Sequence, residues 1–324
     1  MRVLVAGGAG YVGSKLVPAL LANGYAVTVL DLYLYGEDVL ESHPQLIQMK
    51  GDIRDLKVVE EALEGCSAVI HLACISNDPS FELNPDLGRS INFDAFEPFV
   101  QIAKKKGIKR FVYASSSSVY GVKEEPNVTE EMSLEPLTDY SKFKVLCEEV
   151  LFKYADDSMI CTVLRPATVC GYAPRQRLDV VVNILTNLAY HTKKIKIMGG
   201  EQMRPNIHID DMVAAYLLVL AQPSDKVQKE IFNVGYHNHT VREIGEIVSA
   251  VVGDCELEVV ATNDNRSYHV SSEKIARKLH FVPRRTLEDA VKSLLDAFQE
   301  GKLPGSLEDK RYFNIKTMKE LELK

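Results

Sequence analysis

Six short aliphatic runs, "RVLVAG", "AVTVLD", "LIQMKGD", "SAVIHLA", "KRFVYASS" and "MICTVLR", punctuate the first half of this chain with little polar interruption. A strand with one wet face alternates apolar and polar residues, so runs of this kind fit strands covered on both faces, as in a parallel sheet. Helix-like segments separate them at residues 11–22, 54–63, 86–106 and 138–154. The alternation predicts a doubly wound α/β fold (Rossmann type) that binds its ligands at the carboxyl ends of the strands.

The first run leads into "VLVAGGAGYVG", with Gly7, Gly10 and Gly13 at the opening of the first helix and Tyr11 and Val12 between the last two. Glycines there permit a tight turn and close backbone approach, and the helix amino end offers N–H donors and a positive dipole to a pyrophosphate. Asp31 closes the second run, where a carboxylate accepts from an adenosine ribose and repels a 2′-phosphate. The following "LYLYGEDV" holds no arginine or lysine, so NAD is the expected cofactor rather than NADP.

After Arg165 the rhythm changes, with Pro166, Pro174 and Pro205 and loop-like "CGYAPRQRLD" and "GGEQMRP". The expected division is an NAD-binding domain over 1–165 and a smaller, mainly substrate-binding lobe over 166–324. "NIHIDDMVAAYLLVLA" and "EIFNVG" are expected to return to the sheet, which makes the boundary discontinuous near 206–235. The charged, weakly patterned tail from Glu300 is expected to wrap a neighbour or lie in solvent.

A net charge of −7 argues against nucleic acid or an anionic membrane surface as partner. The longest strongly apolar stretch, "MVAAYLLVLA", has 10 residues, against the roughly 20 needed to cross a bilayer. The six cysteines show neither C-x-x-C nor a zinc-like pairing, and the chain opens directly on a strand. Reduced thiols in a cytoplasm and no metal site are expected.

"ASSSSVYG" at 114–121 precedes "YSKFK" at 140–144. If residues 112–118 stay extended, Ser116 and Ser118 share one face and Ser115 and Ser117 the other. Tyr140 and Lys144 stand one helical turn apart. A phenol of pKa about 10 must fall by roughly three units, about 4 kcal/mol, to act as a base near neutrality. A cation about 4 Å away in an effective dielectric of about 20 supplies that order of energy, so Lys144 with an oxidised nicotinamide suffices.

"GGAGYVG", "GDIRD", "HLAC", "SSSSVYG", "YSKFK", "LRPATVCG", "RPNIHIDD" and "RSYHVSSEKI", in this order, resemble the extended short-chain dehydrogenase/reductase family, the NAD-dependent nucleotide-sugar epimerases and dehydratases, from Met1 to about Phe298. The resemblance implies that Tyr140 is the acid/base, that Lys144 anchors the nicotinamide ribose, and that Ser116, four residues before the tyrosine of V-Y-G, bonds the reacting sugar oxygen. Asp52 and Ile53 would meet the adenine, Leu72 and Ala73 the cofactor groove, and Pro166 the nicotinamide. Arg204 and Arg266 match positions that hold the diphosphate of a nucleotide sugar, with Arg177 and Arg175 adding charge nearby. Ser117, Ser118, Asn77 and Asp78 fall on the sugar side. His71 and His208 match structural positions. Phe93, Phe96, Val100, Leu146 and Val150 resemble the four-helix interface of a homodimer.

The family's 4,6-dehydratases carry an Asp-Glu pair directly after the catalytic hydroxyl, and its uronate decarboxylases a glutamate at the second of those places. This chain has Ser117 and Ser118 there. The resemblance then implies oxidation or reduction at C4 of the hexose, by a 4-epimerase or a 4-dehydrogenase/4-ketoreductase. The alternative, a non-catalytic NAD sensor or scaffold of the same fold, has no need for the Ser116, Tyr140 and Lys144 constellation.

Overall fold

The computed structural model describes residues 1–76, 78–125, 127–262, 267 and 269–321. In chain order its strands are β1 (Arg2–Ala6), β2 (Ala26–Asp31), β3 (Leu46–Lys50), β4 (Ala68–His71), β5 (Arg110–Ala114), β6 (Ile160–Pro166), β7 (Thr168–Cys170), β8 (Lys194–Met198), β9 (Met203–His208), β10 (Glu230–Val234), β11 (His237–Thr240) and β12 (Glu256–Val260).

Seven of them form a parallel sheet in the order β10-β6-β5-β4-β1-β2-β3. The protein is thus an α/β fold of the Rossmann kind. The sequence order reverses direction at β1, where Ala6 stands in register with Leu30 of β2 and His71 of β4. Connections leave these two neighbours in opposite directions, which opens a crevice beyond their carboxyl ends.

Helices cover both faces. On one, Gly13–Ala22 packs with Ile209–Ala221 through Leu16, Val17, Leu20, Met212, Tyr216 and Val219. On the other, Phe96, Phe99, Val100, Cys147 and Leu151 meet Val69, Phe111 and Cys161 of the sheet. Phe96, Val100 and Val150 of the expected dimer stripe therefore face their own sheet, while Leu146 is 37% exposed. β3 also departs from its pattern: it is the sheet's edge, and Ile47 is 47% exposed. The long helix expected over 86–106 is broken into Pro85–Arg89, a π turn at Ser90–Asp94, and Phe96–Lys105.

The rest builds a lobe from helices Val181–Thr192, Val241–Val252 and Leu287–Gln299 around Leu185, Ile195, Ile197, Ile244 and Val291. β9 belongs to this lobe, between β7 and β11 in a small sheet, and not to the large one. The helix after it and β10 do lie against the large sheet, β10 pairing with β6. Among the described residues, no helix is long and apolar enough to cross a membrane.

Candidate active site

A cavity of about 570 Å³ opens at the crevice beside β1. The loop after β1 supplies Gly7, Gly10, Tyr11, Val12 and Gly13, the end of β2 supplies Asp31, and the loop after β3 supplies Asp52 and Ile53. Leu72 and Ala73 follow β4, Ser115 to Ser118 follow β5, and Pro166 ends β6. Tyr140 and Lys144 enter from the helix Asp139–Tyr154, and Arg177 and Arg204 from the segments after β7 and on β9. Asn77 and Arg266 lie outside the described residues.

Close packing makes the glycines necessary. Gly7 has φ +81°, and a Cβ there would lie 2.6 Å from the Ala73 nitrogen; one on Gly13 would lie 2.5 Å from the Gly8 oxygen. The helix Gly13–Ala22 has no side-chain cap and no acidic residue in its first turn, so its dipole is left for a ligand anion. Asp31 braces the loop, Oδ2 accepting from Ala9 N–H (2.9 Å) and Oδ1 from Tyr33 N–H (2.8 Å). Burial raises its pKa and those two bonds oppose the rise. This uncapped, glycine-lined cradle beside a buried aspartate fits a dinucleotide.

β5 stops at Ala114, and Ser117–Tyr120 is a 3₁₀ turn, so the strict alternation expected through residue 118 ends at Ser116. Ser116 and Ser118 meet for another reason. Ser116 caps the turn, its Oγ accepting from Ser118 N–H (3.2 Å) and lying 2.9 Å from Ser118 Oγ. Ser141 Oγ donates to Ser118 Oγ (2.8 Å), tying the turn to the tyrosine helix. Ser115 turns into the core and donates to Glu148. Glu148 receives Nε and Nη2 of buried Arg165 (3.0 and 2.6 Å), whose Nη1 donates to Tyr120 (2.8 Å). This paired, fully bonded set holds the serine turn in place.

Thr138 caps the helix Asp139–Tyr154, which sets Tyr140 in its first turn and Lys144 one turn on. Lys144 is 4% exposed, its Nζ donating to the Ala114 carbonyl (2.7 Å) and lying 5.7 Å from the Tyr140 ring centre. The expected lowering of the phenol is reversed in the protein alone. Burial raises the Tyr140 pKa, helped by Cys74 and Asp78, while Arg177 and the hydrogen bond with Ser116 oppose. His71 is buried with neither ring nitrogen bonded among the described residues, and burial pushes it down to about 3. His208 caps the helix Ile209–Ala221, accepting from Asp210 N–H (3.1 Å). Both histidines serve the fold.

A sequence model of the NAD-dependent epimerase/dehydratase family matches residues 3–235. The chain belongs to this family. A UDP-glucose 4-epimerase of Lactobacillus helveticus is 30% identical over 275 residues, spanning 78% of this chain and 82% of that protein. The UDP-glucose 4-epimerase of Thermotoga maritima, solved with UDP-glucose, superposes with a TM-score of 0.84 at 27% identity, covering 95% of this chain and all of the other. The dTDP-glucose 4,6-dehydratase DesIV of Streptomyces venezuelae, solved with NAD bound, gives 0.85 at 26% identity, with the same coverage.

NAD is the cofactor of the epimerase/dehydratase family, and the groove of this member has the cradle for it. Residues that line the same cavity and that the sequence motifs do not single out include Tyr35, Cys74, Ser76, Asp179 and Asn314. Asp179 pairs with Arg177 Nε (2.6 Å), and "PRQRLD" carried a signal for it in its alternation of charges. Asn314 had no signal, since it sits in the unpatterned tail. Asp78, 8% exposed, accepts from Thr138 Oγ1 (2.5 Å), beside the tyrosine. Asp52 is held by Arg54 in a paired contact (Nη2 to Oδ2, 2.6 Å), which keeps its pKa low despite burial.

Proposed function

We propose that this chain is an NAD-dependent enzyme that oxidises or reduces C4 of the hexose in a nucleotide diphosphate sugar. The observation that carries the reading is the meeting of Ser116, Tyr140 and Lys144 in the cavity lined by the glycine loop. When bound there, NAD takes a hydride from the sugar carbon or returns one. Gly7, Gly10, Tyr11, Val12, Gly13 and Asp31 hold its adenosine and pyrophosphate half, with Asp52 and Ile53 at the adenine. Leu72, Ala73, Lys144 and Pro166 line the nicotinamide half.

Tyr140 exchanges the proton of the C4 hydroxyl. Its buried setting keeps the phenol protonated in the protein alone, which suits delivery of a proton to a ketone oxygen. For the reverse direction the phenol must ionise, and the Lys144 ammonium, fixed by the Ala114 carbonyl, is the counter-charge on its own helix. Ser116 bonds both the phenol and the same sugar oxygen, and Ser118, tied to Ser141, keeps Ser116 in place. Ser117 faces the sugar, while Arg177 and Arg204 hold the diphosphate. Serines at 117 and 118 leave the 4,6-dehydratase reaction without its acid–base pair.

If the 4-ketosugar turns over in the pocket before reduction, the product is the 4-epimer; if it leaves, the enzyme is a dehydrogenase or ketoreductase. Likeness to UDP-glucose 4-epimerases supports the first outcome. The test is incubation with UDP-, dTDP- and GDP-linked hexoses, following reduced-nicotinamide absorbance and separating isomers by chromatography. Neither absorbance nor isomer with any sugar would remove the reading in favour of a sensor. Six free cysteines support a reducing cytoplasm. A homodimer is proposed on the helix face that carries Leu146, with sedimentation as a dimer the expected result.

A further inference from the structure

The tail that looks unpatterned in sequence returns to the cavity. Leu178 N–H donates to the Tyr312 carbonyl (2.8 Å) and Asn314 N–H to Asp179 Oδ2 (2.9 Å), docking the helix Asn314–Leu321 on the segment that carries Arg175 and Arg177. Asn314 is 4% exposed and uses its side chain at both ends. Its Oδ1 accepts from Arg175 Nη2 (2.5 Å), and its Nδ2 donates to Ser76 Oγ (2.9 Å) in the loop after β4. Ser76 Oγ also accepts from Arg177 Nη1 (3.2 Å). One amide joins the sheet, the lobe and the tail.

Arg175 lies on the dinucleotide side of the cavity. Its N–H donates to Ser14 Oγ (3.2 Å), in the first turn of the helix that follows the glycine loop. Its guanidinium carbon stands 3.5 Å from the centre of the Tyr35 ring, four residues beyond Asp31. The residue is 4% exposed, yet its Nε has no partner among the described residues. A buried guanidinium, stacked on a ring with one donor left over, is arranged to take an anionic oxygen. Among the described residues, the lysines and arginines lining the cavity are Lys144, Arg175, Arg177 and Arg204. Lys144 is bound to the Ala114 carbonyl, Arg177 is paired with Asp179 through Nε while its Nη2 also has no partner among the described residues, and Arg204 sits on β9 in the lobe. The glycine loop brings no cation of its own. Of the two arginines with a donor left over, Arg175 is the one bonded to the first turn of that helix, through Ser14, which places it at the pyrophosphate end.

We propose that the C-terminal helix is a clasp on the cofactor: through Asn314 it holds Arg175 against the dinucleotide pyrophosphate, so that cofactor binding and tail docking stabilise each other. Asn314 is a positioning residue in this scheme. The inference rests on the dinucleotide occupying the groove, and the coupling must be reciprocal.

Calorimetric titration of the full chain with NAD and, separately, with uridine diphosphate tests it, alongside hydrogen exchange across 310–321. Asn314→Ala should weaken NAD about tenfold, the loss of one charge-assisted bond, and leave uridine diphosphate unchanged. NAD should slow exchange in the tail of the wild type and much less in the variant. If Asn314→Ala does not fold, Ser76→Ala cuts the other half of the tether and should shift NAD affinity the same way. Unchanged NAD affinity in a folded variant overturns the clasp. So does a loss confined to uridine diphosphate, which would place Arg175 on the sugar nucleotide. A wild type that binds no NAD would instead remove the cofactor assignment and the clasp with it.

Discussion

Lys144 Nζ lies 5.7 Å from the centre of the Tyr140 ring but gives its hydrogen bond to the Ala114 carbonyl, 2.7 Å away. Burial outweighs the Arg177 charge and the Ser116 hydrogen bond that oppose it, so the pKa of Tyr140 is raised. A positively charged nicotinamide adds a second cation to the same field, whereas the reduced ring is neutral. Ultraviolet difference titration of wild type against Tyr140→Phe should therefore show no phenolate from this residue below about pH 10 in protein stripped of cofactor. With NAD the phenolate should appear at lower pH than with NADH. Superimposable curves for the two cofactor forms would show that the ring charge does not reach the phenol.

The same placement makes Tyr140→Phe a clean deletion. The ring remains to pack with its apolar neighbours, and only the oxygen is lost. Turnover should fall by about 10²–10⁴-fold, the usual contribution of a positioned acid or base. NAD affinity should stay within about twofold, since the glycine loop and Asp31 are untouched. Activity near wild type would take Tyr140 out of the mechanism.

The sheet could be read from sequence because burial on both faces leaves a residue pattern: Val3, Leu4, Val5 and Ala6 are all fully covered. β3 has a similar composition but lies at the edge, a property of sheet order that a single run does not encode. The glycine loop and Tyr140 with Lys144 were legible because their spacing is local. The serine alternation failed at Ser117, since the chain turns where Ser116 caps it and the run of hydroxyls is compatible with either geometry. Arg175 and Asn314 are 139 positions apart, and nothing local to either announces the contact.

Asp31 has two tasks, and removing it should expose both. Its oxygens accept from Ala9 and Tyr33 N–H groups, and its charge faces the place of the adenosine ribose. In Asp31→Ala those two N–H groups lose their acceptor, so NAD should bind more weakly, while the repulsion toward a 2′-phosphate disappears. Calorimetry with NAD and NADP should find their affinity ratio reduced by about tenfold or more. An unaltered ratio would show that the ribose is read by other groups.

His71 gives the fold an acid sensitivity that can be isolated. It closes β4 with its ring against the edges of Phe96 and Phe99 (centres 5.2 and 5.0 Å apart) and stacked on Phe111 at 6.1 Å. Burial first, and the Lys144 charge second, push its pKa down to about 3. In the unfolded chain a histidine takes up its proton near pH 6.5, so from there down to about 3 the unfolded state binds one proton more at this site. Stability then falls with falling pH by about 1.4 kcal/mol per unit over that window, and has no contribution from this group above it. His71→Leu removes the group while keeping an apolar side chain among the phenylalanines. Urea unfolding at pH 6.5 and pH 5 should show the wild type losing about 2 kcal/mol more than the variant between the two conditions. Equal losses in both proteins would mean that His71 is already protonated, or free to protonate, in the folded state.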